Sequence, residues 1–330
     1  MSTLRLVVGR ILGMLLVLLL ISAITYAVFY LLPSDPAQLS CGKPCTPDRL
    51  AEARAFMGFD KPWWQQFWDF LTGIVGGRTF GSGAAAVHCA APCFGYSFRL
   101  NSPVTTLIAQ RFPVTFSIAV GAALLWLVVG VATGAVAAVR RGTVLDRAAM
   151  TVTVAGVSAP SYLVGLLGIL LFGFTLNMVP VSGYVPLTEN PVQWVWHLVL
   201  PWCMLAFISA AIYARLTRGE MLEALSEDYV RTARAKGLRE RRVIGRHALR
   251  NVLLPVVTVF GLDLGQLLGG AIITEKVFSM QGIGALMLDA VGSLDLPLIV
   301  GITLFAAFLI ILANFVVDML YSVLDPRVSS

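Results

Sequence analysis

Four of the five cysteines stand as two tight pairs, Cys41-Gly-Lys-Pro-Cys45 and Cys89-Ala-Ala-Pro-Cys93. Sulfurs at this spacing suit two chemistries: four thiolates around a zinc ion, or two disulfides in an oxidising compartment. Acidic residues inside apolar runs are few, namely Asp263 and Asp318. A charge in such surroundings is costly and marks function by default. The bland alternative for Asp263 is a polar contact between helices, with Gln266 as a partner. None of the three histidines, His88, His197 and His247, stands close to an acid inside an apolar run, so an ion-coupling relay is poorly supported. The sequence holds no Gly-x4-Gly-Lys-Ser/Thr loop to cradle phosphate, no His-Glu-x-x-His helix and no nucleophile elbow. No catalytic residue, resident metal or cofactor is expected of this chain.

The elements that position these residues are set by composition. Of 330 residues, 58% are hydrophobic and 13% charged. A soluble domain averages about 45–50% apolar and about 25% charged, so a water-soluble enzyme and a disordered chain are both excluded. Six segments have the roughly 20 apolar residues that a spanning helix needs. They are Ile11–Leu32, Val114–Val139, Met150–Phe174, Trp194–Ala214, Val252–Thr274 and Leu298–Val323. The first is too long for a cleaved signal peptide and lacks a clear small-x-small site after it.

The net charge of +6 is unevenly placed. With the N-terminus inside, Arg5, Arg10, Arg140, Arg141, Arg147, Arg327 and a dense run from Arg215 to Arg250 are cytoplasmic, and the short outer loops carry only Lys276. This is the positive-inside pattern, so both termini are expected in the cytoplasm and nucleic acid is not a partner. The same topology puts the paired cysteines outside, which favours two disulfides over zinc and leaves three connectivities open. Cys203, in an apolar span, reads as a small core residue. The chain divides into a tail and first span (1–32), an extracytoplasmic loop with the cysteine pairs (33–112), spans two to four (113–214), a cytoplasmic segment (215–251), spans five and six (252–323) and a cytoplasmic tail (324–330). In the loop, Lys61–Trp68 with its three tryptophans reads as an interfacial anchor or as the loop's own small core.

The cytoplasmic segment is the most informative. Ser226 suits an N-cap, Glu227 and Asp228 suit a first turn, Arg234 and Lys236 suit a last turn, and Gly237 suits a left-handed stop. A helix of about 15 Å is predicted over Glu227–Lys236. Spacing puts Tyr229, Ala233 and Lys236 on one face, and a second helical piece follows over Arg239–Arg250. Such a helix fits a groove on another protein; a basic loop on anionic lipid is the alternative. Gly261, Gly265 and Gly269 fall at four-residue spacing in the fifth span, as do Gly130 and Gly134 in the second. Small residues at that spacing let backbones approach, within the chain or at a subunit seam.

Several motifs now meet a family. They are Pro33-Ser-Asp-Pro36, Met57-Gly-Phe-Asp-Lys-Pro62, Gly95-Tyr-Ser97, Pro103-Val104, Arg141-Gly-Thr-Val-Leu-Asp-Arg147, Val179-Pro-Val-Ser-Gly183 and Ala214-Arg-Leu-Thr-Arg218. The strongest are Asp228-Tyr-Val-Arg-Thr-Ala-Arg-Ala-Lys-Gly-Leu238 and Arg250-Asn-Val-Leu-Leu-Pro255. Along nearly its whole length the sequence resembles the membrane subunits of bacterial ABC importers of the dipeptide/oligopeptide/nickel type, nearest the B-type permease. The resemblance implies an all-α membrane protein in the bacterial plasma membrane: a six-helix, type I importer permease with both termini cytoplasmic and a long first extracytoplasmic loop. It implies transport of di- or oligopeptides by alternating access, with nickel complexes or haem as alternatives and an ion-coupled carrier as the rival class. It further implies a homologous second permease, two cytoplasmic ATPases holding ATP and magnesium, an extracytoplasmic binding protein or lipoprotein, and membrane lipid. The ATPase-coupling residues are then Asp228, Tyr229, Arg231, Ala233, Lys236 and Gly237, and Gly261, Asp263, Gly265 and Gly269 serve packing or the pathway. Three departures stand out. Arg231-Thr232-Ala233 replaces the family's Glu-Ala-Ala triplet, Gln281 replaces a frequent Pro before Gly282-Ile283-Gly284, and the insertion around Gly77–Cys93 is extra.

Overall fold

The apolar runs fold as long helices, joined by short capped ones. The computed structural model describes residues 3–31, 37–38, 45–58, 60–81 and 86–324. In chain order these form α1 (Thr3–Leu31), α2 (Pro47–Met57), α3 (Trp63–Gly76), β1 (Arg78–Phe80), β2 (Val87–Cys89), β3 (Tyr96–Ser97), β4 (Ser102–Pro103) and α4 (Val104–Val139). There follow α5 (Val144–Ser158), α6 (Ser161–Gly168), a π-helical turn (Ile169–Thr175), α7 (Pro191–Ser226) and α8 (Asp228–Ala235). Next, α9 (Glu240–Arg242) passes through a second π-helical turn (Val243–Ala248) into α10 (Leu249–Leu268). Last come α11 (Ile272–Val277), α12 (Ile283–Ser293) and α13 (Leu296–Leu324).

Among the described residues, five helices are long and apolar enough to cross a membrane, or six if a bent pair counts as one crossing. That pair corrects the third predicted span. Met150–Phe174 is not one rod: α5 and the α6 segment meet at 105° across Ala159-Pro160. Proline brings no amide and disfavours helix in the residue before it, and Ala159 is extended at ψ 128°. The fifth predicted span, Val252–Thr274, also differs. Its helix stops at Leu268, and Ile272 opens a separate short helix. The second begins at Val104, well ahead of Val114, and carries Pro113 inside it.

Local chemistry explains where helices begin. Asn190 Oδ1 accepts from the amides of Val192 and Gln193, each at 3.1 Å, and Pro191 occupies the first helical position of α7. Thr46, ahead of Pro47, caps α2 in the same way.

The chain falls into two compact units that interleave in sequence. The first holds residues 1–115, 268–272 and 281–311. Its core is Val104 and Ile108 of α4, Ile283, Leu286 and Ala290 of α12, and Leu298 and Ile302 of α13, all buried. A second cluster joins Phe70 of α3 to Leu296, Val300 and Leu304, flanked by Ile21 and Tyr26 of α1. In the loop, β1 and β2 pair antiparallel with Arg78 opposite Cys89 and Phe80 opposite Val87. Phe80, Cys89, Cys93 and Tyr96 form a small buried core there, against which Phe56 packs.

The second unit holds residues 116–267, 273–280 and 312–330. Its largest cluster runs through Ala122, Ala123 and Trp126 of α4, Ala206, Ala210 and Tyr213 of α7, and Val252 and Val256 of α10. Small residues dominate because the helices approach closely. A Cβ at Gly134 would lie 2.7 Å from Thr217 and against the carbonyl of Ala214, and one at Gly130 would lie 2.6 Å from Tyr213. The Gly130/Gly134 stripe therefore serves packing within the chain.

Candidate functional site

The segment between α7 and α10 is built from the residues that sequence reasoning singled out, with a changed division of labour. Ser226 is the last residue of α7, not an N-cap: its Oγ donates to the carbonyl of Glu223 at 2.7 Å. Glu227 takes the cap position in extended backbone without a side-chain bond, and α8 runs Asp228–Ala235. Asp228 lies in the first turn and Arg234 in the last, matching the helix dipole. Lys236 is the C-cap, and Gly237 at φ +75° supplies the left-handed turn.

The predicted face of Tyr229, Ala233 and Lys236 is not a single exposed surface. Ala233 is buried with Val230 and Val243, and Leu225 and Leu238 pack against them. The apolar side, Val230 and Ala233, thus holds α8 to its own chain. Asp228, Tyr229, Arg231, Thr232, Lys236 and Gly237 are exposed. Beyond them Arg239, Arg241, Arg242, Arg246 and Arg250 are exposed as well. The result is a short helix with an apolar underside and a polar, mainly cationic outer side.

Two ion pairs that sequence reasoning did not identify fix this element. Arg234 grips Glu240 with two bonds, Nη2 to Oε1 at 2.7 Å and Nε to Oε2 at 3.3 Å, closing the turn between α8 and α9. These charge-assisted bonds brace the turn that leads into the following helix. The Arg231–Asp228 pair, at 3.4 Å and highly exposed, adds little. Farther back along α7, Arg218 donates Nε to Asp146 Oδ1 at 2.7 Å and Nη2 to Oδ2 at 2.9 Å. Asp146 also accepts from the amide of Gly142 at 2.9 Å, and its own amide bonds the Thr143 cap. The stem that carries α8 is thereby tied to the first turn of α5. These partners lie 72 residues apart, and no local spacing announces them.

Asp263 is partly buried, and its Oδ2 accepts from the Tyr213 hydroxyl at 2.8 Å. The contact between helices is real, but it reaches α7 rather than Gln266. Gly261 abuts Val317 and lies near the Ala313 carbonyl of α13, and Gly265 is buried on α10. Gly269 falls outside the helix, so the three-glycine stripe is two residues long in helical terms. Cys89 and Cys93 are joined in a disulfide and Cys45 is disulfide-bonded, while Cys41 lies outside the described residues. Cys203 is exposed on α7, not a core residue. Asp318 lies in α13. Among the described residues no cluster of His, Cys, Asp and Glu is arranged to hold a metal ion.

Comparison with known proteins gives the same result along the whole chain. Residues 130–330 match the family described as the binding-protein-dependent transport system inner membrane component, and residues 3–119 match the N-terminal part of such membrane components. The dipeptide transport system permease protein DppB of Escherichia coli K12 is 38% identical over 332 residues, covering 93% of this chain and 94% of that protein. The di/tripeptide transport system permease DppB of Pseudomonas aeruginosa is 38% identical over 329 residues with the same coverage. A chain of the MetNI methionine ABC transporter, solved in inward-facing conformations, shares the fold at TM-score 0.53 and 16% identity, covering 67% of this chain and 97% of its own. The chain belongs to the inner-membrane-component family of binding-protein-dependent transport systems.

Proposed function

We propose that this chain is one of two permease subunits of an ATP-driven importer for di- and oligopeptides, working by alternating access in the bacterial plasma membrane. Both termini are cytoplasmic in this reading, residues 33–112 form the extracytoplasmic loop, and 215–251 form the coupling segment. A homologous permease completes the pathway, two cytoplasmic ATPases supply ATP and magnesium, and a binding protein or lipoprotein delivers substrate from outside. The observation that carries it is α8: an eight-residue helix, apolar underneath and charged outside, between two long apolar helices. Its exposed Asp228, Tyr229, Arg231, Lys236 and Gly237 suit insertion into a groove on a partner, and the buried Ala233 keeps the helix seated. Peptide cargo is supported by the names of the relatives at 38% identity.

The physical demand is a change of several kcal/mol in the balance between inward- and outward-open forms, delivered through α8 when the ATPases close. The ion-coupled alternative gains nothing from Asp263, which is engaged by Tyr213. The test uses the whole complex in proteoliposomes with its binding protein. ATP-driven uptake of labelled dipeptide is expected, and Tyr229→Ala with Lys236→Ala should lower it about tenfold while the chain still inserts. Uptake driven by an ion gradient without the ATPases would sink the reading. Uptake of haem or nickel complexes in place of peptide would reassign the cargo alone.

A further inference from the structure

Helix α3 is amphipathic in an unusual way. Gln66, Phe70 and Gly73 are its buried residues. At about 100° per residue, these three lie within a narrow sector, and Trp64, Trp68 and Val75 lie opposite it. Leu71, at the edge of that stripe, is partly buried against the Phe70 cluster. The relative exposures of that outer stripe are 52% for Trp64, 64% for Trp68 and 83% for Val75. The helix therefore has a core side and, on the other side, two largely exposed indoles, Trp64 meeting the exposed Trp63 ring edge-on at 5.9 Å, and an exposed isopropyl group.

The level at which α3 sits follows from what its core side touches. Phe67 meets the Tyr26 ring edge-on at 5.5 Å, Phe70 meets it at 6.0 Å, and the Tyr26 hydroxyl donates to Gln66 Oε1 at 3.2 Å. Phe70 also joins Leu296, Val300 and Leu304, at the first turns of α13. On α1, the apolar stretch Val8–Val28 is the least covered of the spanning helices, with Leu20, Ile24 and Val28 exposed. Tyr26 stands about 27 Å along the helix from Val8, close to the roughly 30 Å of a hydrocarbon core. So α3 rests beside the ends of two spanning helices, level with the boundary between acyl chains and headgroups.

We infer that the Trp64/Trp68/Val75 stripe of α3 is a lipid-binding surface, seated in the headgroup–acyl boundary of the leaflet at the Tyr26 end of α1. Indole is suited to that layer, since its ring is apolar and its N–H needs a polar partner. In the proposed orientation this leaflet is the extracytoplasmic one, so the loop between α1 and α4 is anchored on the bilayer rather than standing free in water.

The test compares the complete transporter, in lipid discs, with its Trp64→Phe, Trp68→Phe variant, whose conservative exposed changes leave the buried side intact. The difference in tryptophan emission reports the two indoles. Bromines placed high on the acyl chains are expected to remove more than half of that difference, bromines near the chain ends to remove less, and aqueous iodide to leave it nearly untouched. In unaltered protein, hydroxyl-radical footprinting should find both indoles protected in lipid discs. Quenching by iodide with no effect of brominated lipid would overturn the proposal. So would shielding from both quenchers, which would mean that a protein partner covers the stripe.

Discussion

Asp295 shows how one carboxylate can tie a loop to a membrane helix. It is buried just ahead of α13, accepts from the Ser97 hydroxyl and, at 3.4 Å, from the Leu298 amide. Burial pushes its pKa up from 3.8, against the lowering effects of Ser97, the Leu298 amide and Arg99. The native state therefore holds this proton more tightly than the unfolded chain does. The stabilisation is fully present below the ordinary aspartate value and is lost as pH rises through the raised one. The thermal midpoint in detergent should fall over that window, and Asp295→Asn should remove this component of the pH dependence. Asp146 and Arg218 act at the same scale. Each single change, Asp146→Asn or Arg218→Gln, should lower the midpoint by a few degrees, and the double variant should fall no further than the worse single one. Neither pair was legible in the sequence, because Ser97 and Asp295 lie 198 residues apart and burial alone makes them matter. Gln281 was legible only as a departure from a family pattern, and its side chain receives the Arg111 guanidinium.

At the scale of elements, apolar runs located the long helices, their ends and bends fell elsewhere than expected, and tertiary contact decided which face did what. The stop at Gly237 was readable because only a left-handed residue ends α8 there. The face of α8 was not, since Ala233 and Tyr229 share a spacing but Val243, from the next turn, covers only one of them. The buried Ala233 and the exposed Gly237 therefore separate folding from docking. Ala233→Leu overfills the cluster around Val230 and should cost about 2 kcal/mol. Gly237→Ala meets no atom within 4 Å and should cost only about 1 kcal/mol of backbone strain. Unfolding midpoints of the purified complex check both, and a larger effect of Gly237→Ala on stability would reverse the assignment. The bend between α5 and α6 escaped hydropathy reading for a similar reason: Pro160 lies in an unbroken apolar run, and an average over the run does not register one missing amide.

For the whole molecule, composition alone pointed to lipid as the solvent, and the distribution of arginine carries the orientation proposed above. What composition does not reveal is the interleaving of two compact units, because α4, α10 and α13 each pass residues to more than one of them or end at their boundary. The crossing count depends on treating the bent pair as one passage. Reporter fusions before Thr3 and after Leu324 should then read the same side of the membrane, and a reporter inserted in Pro186–Glu189 should read the other. Opposite readings at the two ends would mean that the bent pair turns back without crossing.

After its Asn190 cap, α7 runs through 36 residues, Pro191–Ser226, with Pro201 inside it. That is about 54 Å of helix, against roughly 30 Å of hydrocarbon. Its two ends therefore emerge on opposite sides of the bilayer with length to spare, and α8 hangs from one of them. Pivoting where Asp146 grips Arg218, about 12 Å from Ser226 and about 40 Å from Pro191, a small tilt at the α8 end sweeps the far end through an arc about three times as long, as in an oar across a gunwale.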